Sequence, residues 1–233
     1  NDIASAKASF ADQAVIFKRK HNWLMCWLYL GTFGSFLGFA AGFPLLIKSQ
    51  FAGVNPTQYA FLGALVGGLS RPFGGWLSDK IGGAKVTQFV FLGMIAGVMG
   101  VLAFLPQGGQ GGNFWGFFAC FLALFALTGI GNGSTFMQVP AIFSTLHQRL
   151  AAGKGGEVQQ QAVGNANKEA AAVLGFSAAL AAYGGFFIPK SYGTSIEMTG
   201  GVDAGLYGFI VFYVSCLLIN WWYYARKNAE VPC

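Results

Sequence analysis

The sequence predicts an all-α membrane protein built from six transmembrane helices. Three observations support this fold class: 55% of the 233 residues are hydrophobic, only 9% are charged, and the mean hydropathy is +0.54. Soluble domains carry about 25% charged residues, so most of this chain cannot face water. The 35 glycines fit the same class, because glycine lets helices approach each other closely in lipid.

Six mostly apolar segments are long enough to cross the hydrocarbon core, which takes about 20 helical residues. The fourth is longer than one simple span, so it either extends beyond the membrane or breaks near Pro140. Charged and turn-forming residues concentrate in the loops between these segments. The predicted spans are residues 22–47, 57–78, 86–105, 114–146, 170–188 and 204–224.

Lysine and arginine residues are distributed asymmetrically over the predicted loops. Eleven of the 14 lie on the side that carries the N-terminus, two (Lys48 and Lys190) lie on the other side, and Arg71 lies within a span. Positively charged loops face the cytoplasm, so both ends of the chain are expected there. The same distribution accounts for the net charge of +6 without a nucleic-acid partner.

The sequence divides into three parts. Residues 1–20 are polar with apolar residues at helical spacing, which predicts an amphipathic cytoplasmic segment that links two bundles. Residues 21–228 form the six-span bundle and residues 229–233 a short tail. The stretch GKGGEVQQQ, residues 153–161, predicts a mobile connector between the fourth and fifth spans. The four cysteines are scattered, without the spacing of a metal site or a disulfide framework.

The turn between the second and third predicted spans reads GGWLSDKIGGAKV. Gly75 lets the helix end pack against a neighbour, and Asp79 can reach the positive N-terminus of an adjacent helix. Lys80 and Gly82 suit a tight turn at a charged membrane face. An ordinary charged loop has a similar composition. The pattern nevertheless resembles the G-x-x-x-D-R/K-x-G-x-x-R/K signature of the major facilitators, which latches one conformation of the transport cycle.

Arg71 is the only charged residue within a predicted span, seven residues from its cytoplasmic end. At ~1.5 Å per residue it lies about 10 Å deep. An unpaired cation in the membrane costs at least about 2.5–3.5 kcal/mol, and none of the eight acidic residues lies in a predicted span. A planar guanidinium suits a planar oxyanion, so we expect an anion site here. The alternatives are snorkelling to the headgroups and pairing with an acid outside this chain.

Other residues within the spans could complete such a site. Tyr29 and Phe33 are four residues apart and share a helix face, where their rings could cover a flat anion or simply pack. Gly34, Gly38 and Gly42 predict a stripe of close helix packing. The stretch TGIGNGSTFMQVP brings amides and hydroxyls into the bilayer, either to bind substrate or to join helices. These polar residues are Asn132, Ser134, Thr135 and Gln138.

Four stretches closely resemble the bacterial nitrate/nitrite porter family of the major facilitators. They are LYLGTFGSFLGFAAGF, GGLSRPFGGWLSDKIGGAKVT, GIGNGSTF and LGFSAALAAYGGFFIPKSYG, and the resemblance covers essentially the whole chain. It implies the C-terminal half of a twelve-span fold in a bacterial inner membrane, with a missing N-terminal half as its partner. In that family one arginine from each half clamps nitrate or nitrite.

The resemblance also implies roles for individual residues. Arg71 matches the arginine of the C-terminal half, and Tyr29 and Phe33 match the aromatic residues that contact and stack over the anion. The fifth predicted span matches the second nitrate signature, a track of small residues that passes close to substrate at Gly175. Three further glycine and amide positions are expected to serve helix packing: Gly184, Gly185 and Asn132.

The fifth predicted span departs from its relatives in one respect. It carries Ala178 and Ala181, where relatives can carry serine or glycine. Ser177 lies one residue earlier, on a different face of the helix. A hydroxyl contact from this helix to the substrate is therefore left open.

The expected function is exchange of nitrate and nitrite by alternating access, in nitrate assimilation, by a lipid-embedded chain without a cofactor or metal. The lack of a carboxylate in the spans favours exchange over proton-coupled symport, although the missing half could supply a proton relay. A carrier of another small inorganic anion and a membrane-embedded anion sensor are the alternatives. An enzyme is not expected, because the spans contain no nucleophile–base pair, metal site or phosphate-binding loop.

Overall fold

The computed structural model describes residues 14–106 and 111–233, and within these ranges every regular element is helical. A 3₁₀ turn, Ala14–Lys18, precedes the first α-helix. Two π-helical turns are present, Leu30–Gly34 between α1 and α2 and Trp221–Ala225 after α8. The α-helices are α1 (Lys20–Tyr29), α2 (Ser35–Gln50), α3 (Pro56–Ile81), α4 (Gly83–Phe104), α5 (Phe114–Ala151), α6 (Gly156–Ala182), α7 (Gly184–Thr199) and α8 (Asp203–Asn220).

Several of these elements join into long helices. Five in the described ranges are long and apolar enough to cross a membrane, which identifies a multi-pass membrane protein. The second predicted span does fold as a helix, α3, but Arg71 and its polar first turn make it less apolar than the others. The five are Lys20–Gln50 (called the first long helix below), Gly83–Phe104, Phe114–Ala151, Gly156–Thr199 and Asp203–Ala225.

The predicted connectors are shorter in the structure than in the sequence analysis. The prediction of a mobile connector at residues 153–161 was wrong for most of its length, because α6 already begins at Gly156. The fifth predicted span likewise extends beyond residue 188 to Thr199. Alanine and glutamine are strong helix formers, so α6 begins before the apolar stretch that hydropathy detects. The long helix α5 passes through Pro140 without a break.

Helix ends follow local capping chemistry. The Asn55 side chain accepts a hydrogen bond from Thr57 N (3.1 Å) just before Pro56, the first residue of α3. Asn113 caps α5 in the same way, accepting from Trp115 N and Gly116 N. Gly82 alone separates α3 from α4, with φ = +95°, a conformation that favours glycine.

Helix α5 forms the centre of the bundle and packs against α3, α4, α6 and the first long helix. Toward the start of α5 the core is aromatic, and the Phe43 and Phe121 rings stack at 4.5 Å between centroids. Farther along α5, buried hydroxyl and amide groups replace the aromatic rings. The candidate site lies beside this polar part of α5.

The two ends of the chain differ in what the structure describes. Of the predicted amphipathic segment 1–20, residues 1–13 lie outside the described ranges. The tail is packed: Val231 is fully buried, and Ala84 N donates a hydrogen bond to Cys233 O (3.2 Å). Glu230 pairs with Lys20 at 2.6 Å. The tail therefore fastens the start of the first long helix to the start of α4.

Candidate functional site

Arg71 is positioned by unusually close packing of α3 on α5. Gly129 lies against the backbone of Gly67, and Gly133 lies against the carbonyl of Arg71. A Cβ atom at either glycine would overlap that backbone, so only glycine permits the contact. The backbone of Arg71 is thus held against α5 while its side chain remains exposed.

The Arg71 guanidinium lies over an aromatic ring. Its Cζ atom is 5.7 Å from the centroid of Phe136, whose side chain is 40% exposed. No acidic side chain pairs with Arg71 in the described part of the chain. Pro72 follows directly and has no N–H to donate to the carbonyl of Gly68, which leaves polar backbone beside the charge. Sequence reasoning missed Phe136, although it lies in the polar stretch TGIGNGSTFMQVP.

Tyr29 and Phe33 form the second component of the candidate site. Their rings are 5.6 Å apart at an interplanar angle of 54°. Tyr29 is 3% exposed, whereas Phe33 is only half-buried and can meet a ligand. The π-helical turn begins immediately after Tyr29 and contains Phe33. Such turns occur mostly as local bulges within α-helices, frequently at functional sites, and hydropathy patterns do not reveal them.

Packing between the first long helix and α3 brings Arg71 and the Tyr29–Phe33 pair to the same height along the bundle. A Cβ built on Gly67 would lie 2.6 Å from the Phe36 ring, which marks where the two helices touch. The helices are antiparallel because the short segment 51–55 joins them. One turn from this contact, Phe33 lies on the first long helix and Arg71 on α3. The cation and the aromatic pair therefore border the same groove.

Gly175 is not packed against these residues within this half. It is exposed on α6, and no atom lies within 4 Å of a Cβ built on it. Ser177 faces the opposite way, fully buried, with its Oγ 3.3 Å from Cys26 Sγ. The Ser177 hydroxyl therefore joins α6 to α1 and does not face a substrate.

The predicted glycine stripe of the first long helix is confirmed. Cβ atoms built on Gly34, Gly38 and Gly42 would lie 3.0 Å from Ala181 O, 2.6 Å from Gly184 O and 2.9 Å from the Tyr192 ring. Gly184 in turn lies on the backbone of Gly34. Gly185 has open space beside it, with only Leu37 Cβ at 4.0 Å. Of the two expected packing glycines, Gly184 therefore makes the close contact.

The predicted latch turn has only part of the expected geometry. Gly74, rather than Gly75, makes the close helix contact, since it lies against Ile130 O. Asp79 is exposed and makes no hydrogen bond or ion pair to another described residue. The adjacent helix N-terminus is instead met by Cys233 O. Lys80 Nζ lies 3.9 Å from the centroid of the Trp76 ring, at the membrane face.

Two carboxylates organise the end of the bundle that carries both chain ends. Glu169 accepts a hydrogen bond from Arg19 Nε (2.7 Å) and is hydrogen-bonded to His147 Nε2 (2.6 Å). The hydrogen bond from Lys20 holds the pKa of Glu230 below its ordinary value.

Burial raises the pKa of the Cys233 thiol to about 12, so this cysteine is a neutral thiol. In the described ranges, no group of three or more His, Cys, Asp or Glu side chains is placed to hold a metal ion.

Comparison with known proteins gives close relatives, although no protein-family model matches the chain. The nitrate/nitrite transporter NarU of Escherichia coli is 45% identical over 229 residues, which cover 98% of this chain and 49% of that protein. NarU of Salmonella typhimurium is 44% identical, covering 99% of this chain and 49% of that protein. The probable nitrate/nitrite antiporter NarK2 of Thermus thermophilus is 40% identical, covering 97% and 47%.

The chain spans about half the length of these curated relatives. The regions matched to them cover nearly all of its residues. The chain therefore belongs to the nitrate/nitrite porter family of the major facilitator superfamily, of which it represents a C-terminal half.

Proposed function

We propose that this chain is the C-terminal half of a carrier that exchanges nitrate for nitrite by alternating access. The observation that carries the proposal is the exposed guanidinium of Arg71, which lies in a membrane-embedded groove and has no acidic partner in the described ranges. Its close relatives are named as nitrate/nitrite transporters or antiporters, which supports a carrier rather than an enzyme.

The groove offers the right chemistry for a small planar anion. The Arg71 fork can donate two parallel hydrogen bonds to two oxygens of nitrate or nitrite. The half-buried Phe33 ring can cover the flat face of the anion, and the Tyr29 hydroxyl, which bonds to no other described residue, can donate to it. A tetrahedral anion such as phosphate would fit a flat ring poorly, so nitrate and nitrite are favoured.

The missing N-terminal half is the proposed partner. Exposed glycines with open space at their Cβ positions lie on α3 (Gly68) and α6 (Gly164, Gly175). Helices of the other half can approach these surfaces closely. In this arrangement α3 is a membrane span although it is less apolar than the other five, which gives the half-bundle six spans between a 1–20 linker and the 229–233 tail. Gly175 then lies close to substrate, and Asp79, Lys80 and the Gly75–Gly82 turn act as the conformational latch.

Exchange, rather than proton-coupled symport, is favoured by the placement of the acidic residues. Glu169 and Glu230 are both engaged at the cytoplasmic end, by Arg19 and Lys20 respectively. Neither is free to relay protons through the groove. The charge distribution supports an inner-membrane location with both ends of this chain in the cytoplasm.

The proposal is tested with the complete two-half protein in proteoliposomes. Vesicles loaded with nitrite should take up labelled nitrate, and unloaded vesicles should take up little. An imposed pH gradient should leave the rate in loaded vesicles unchanged. Unlabelled nitrite and chlorate should compete, and phosphate should not. Uptake that needs a pH gradient and not internal nitrite would replace exchange with symport, and no uptake under either condition would contradict the proposal.

A further inference from the structure

The polar residues in the fourth predicted span separate into two kinds in the structure. Ser134 Oγ lies 2.7 Å from Thr87 Oγ1, and Thr135 Oγ1 lies 3.1 Å from Thr32 Oγ1. Gln138 Nε2 also donates to Thr87. These three side chains therefore join α5 to α4 and to the first long helix. Their hydrogen bonds explain why they lie inside the bilayer.

Asn132 differs from these three neighbours. Its side chain is 2% exposed, and its Oδ1 atom is enclosed without a hydrogen-bond partner. Its amide forms no hydrogen bond with any other side chain or backbone group in the described ranges. A buried amide oxygen without a partner is unfavourable, because it loses its hydrogen bonds to water and gains none in return. Helix packing therefore does not explain this residue.

The position of Asn132 around α5 points to the groove. The side of α5 that carries Gly129 and Gly133 packs against α3, and the side that carries Thr135 packs against the first long helix. At 3.6 residues per turn, Asn132 lies between these two sides. It borders the groove between α3 and the first long helix.

Asn132 also lies at the level of the candidate anion site along the membrane normal. The next residue, Gly133, contacts the backbone of Arg71. Phe136, one turn farther on the same face, lies beneath the Arg71 guanidinium. The amide and the guanidinium therefore border one groove from different helices.

We infer that Asn132 is a substrate-positioning residue whose amide donates a hydrogen bond to the planar oxyanion bound by Arg71. The inference rests on the proposed function. Rotation about χ2 lets an amide present either its NH2 group or its oxygen, and an anion selects the NH2 group. A neutral donor orients the anion without adding a second full charge, so the bound anion can still be released during each cycle.

The test compares two substitutions on α5 in the complete two-half protein. Asn132→Leu, which is similar in size and apolar, should raise KM for nitrate about fivefold to tenfold with little change in Vmax. It should also reduce the rise in Tm that nitrate causes in detergent, without lowering the Tm measured without nitrate. Thr135→Val, the matched control, should lower that basal Tm and leave KM unchanged, because Thr135 joins helices.

A second variant covers the case in which Asn132→Leu does not fold. Asn132→Asp has the same shape, and its carboxylate should pair with Arg71 and abolish the nitrate-induced rise in Tm. An unchanged KM together with a lowered basal Tm for Asn132→Leu, or a normal nitrate response for Asn132→Asp, would overturn the inference while leaving nitrate exchange intact. Absence of nitrate exchange by the unaltered protein would instead remove the proposed function on which it rests.

Discussion

Arg71 illustrates how a single residue can direct the functional interpretation. Placing an arginine in a span costs at least about 2.5–3.5 kcal/mol on insertion scales. The contact with Phe136 recovers about 0.5–2 kcal/mol, depending on how dry the site is. A bound anion can offset the unfavourable insertion free energy that remains. This balance favours a binding site over a purely structural arginine.

The proposed contact between the Tyr29 hydroxyl and the anion can be tested with a single substitution. Tyr29→Phe keeps the ring that packs against Phe33 and removes a hydroxyl that bonds to no other described residue. We expect KM for nitrate to rise about fivefold, as for loss of one hydrogen bond of ~1 kcal/mol, with no loss of thermal stability.

The matched control for this change is Tyr213→Phe. The Tyr213 hydroxyl donates to Ser35 Oγ (2.9 Å) deep in the core, so its removal should lower Tm and leave KM unchanged. Transport kinetics and differential scanning fluorimetry on the complete protein measure both effects. Equal KM values for Tyr29→Phe and the wild type would exclude the hydroxyl from the site.

The sequence predicts some of these residues and not others. Arg71 is visible as a lone charge in an apolar stretch, and Tyr29 and Phe33 are visible by their helical spacing. Phe136 is one of 24 phenylalanines, and only the crossing of α3 over α5 distinguishes it. Likewise, Asn132 stands out by its lack of a hydrogen-bond partner only when the hydrogen bonds of its neighbours are known.

Among the helices, the first long helix and α6–α7 meet at a tightly constrained crossing. Gly34 and Gly184 meet backbone to backbone, at the level where one helix has its π-helical turn and the other breaks at Tyr183. Any side chain at this crossing must separate the two helices. The π-helical turn and the break at Tyr183 lie side by side, so these helices can bend at the crossing.

Adjacent glycines offer a matched pair for testing this crossing. Gly184→Ala should overpack the contact with Gly34 and destabilise the protein by about 1–3 kcal/mol, with loss of exchange activity. Gly185→Ala should have little effect, because the space beside it is open. Thermal melting and nitrate exchange of the complete protein check both variants. Similar Tm values for the two would show that the helices do not cross as described.

The packed tail makes a pH-dependent contribution to stability. The hydrogen bond from Lys20 lowers the pKa of Glu230, so the ionised form stabilises the fold. This stabilisation is complete above the ordinary glutamate pKa of about 4.3 and is lost as pH falls through the lower pKa of the folded protein. Because Glu230 is 44% exposed, the contribution should not exceed about 1 kcal/mol.

Glu230→Gln should therefore lower Tm slightly at pH 7. The Tm difference between this variant and the wild type should shrink as the pH falls below about 4. Glu197→Gln serves as the control, because Glu197 is exposed and forms no ion pair with another described residue. Melting curves across this pH range measure the effect. A difference that persists or grows toward low pH would contradict the assigned pairing.

Helix existence was easier to predict than helix length. Apolar runs locate the membrane-embedded parts, and all six predicted segments are helical. The extension of α6 back to Gly156 depends on helix propensity outside the bilayer, which hydropathy does not measure. The π-helical turn at Leu30–Gly34 has no hydropathy signal.

At the scale of the molecule, the chain spans about half the length of its curated relatives, and the groove beside Arg71 is open on the side where the other half is proposed to lie. A half-bundle cannot enclose an anion or alternate its access. Residues 1–233 reconstituted alone should therefore show no nitrate exchange, and co-expression with the N-terminal half should restore it. Exchange by the isolated chain at rates near those of the complete protein would refute the two-half arrangement.

The most direct test of the account is nitrate–nitrite counterflow by the complete protein carrying Arg71→Lys, compared with Arg226→Lys. Arg226 also lies over an aromatic ring, that of Trp222 at 4.4 Å, but at the end of the last helix and away from the groove. Loss of the guanidinium fork should reduce exchange by Arg71→Lys about 10–100-fold, as for a charge-assisted hydrogen bond of about 1.5–3 kcal/mol. Arg226→Lys should exchange normally. Exchange by Arg71→Lys at the wild-type rate and KM would contradict the claim that Arg71 binds the transported anion.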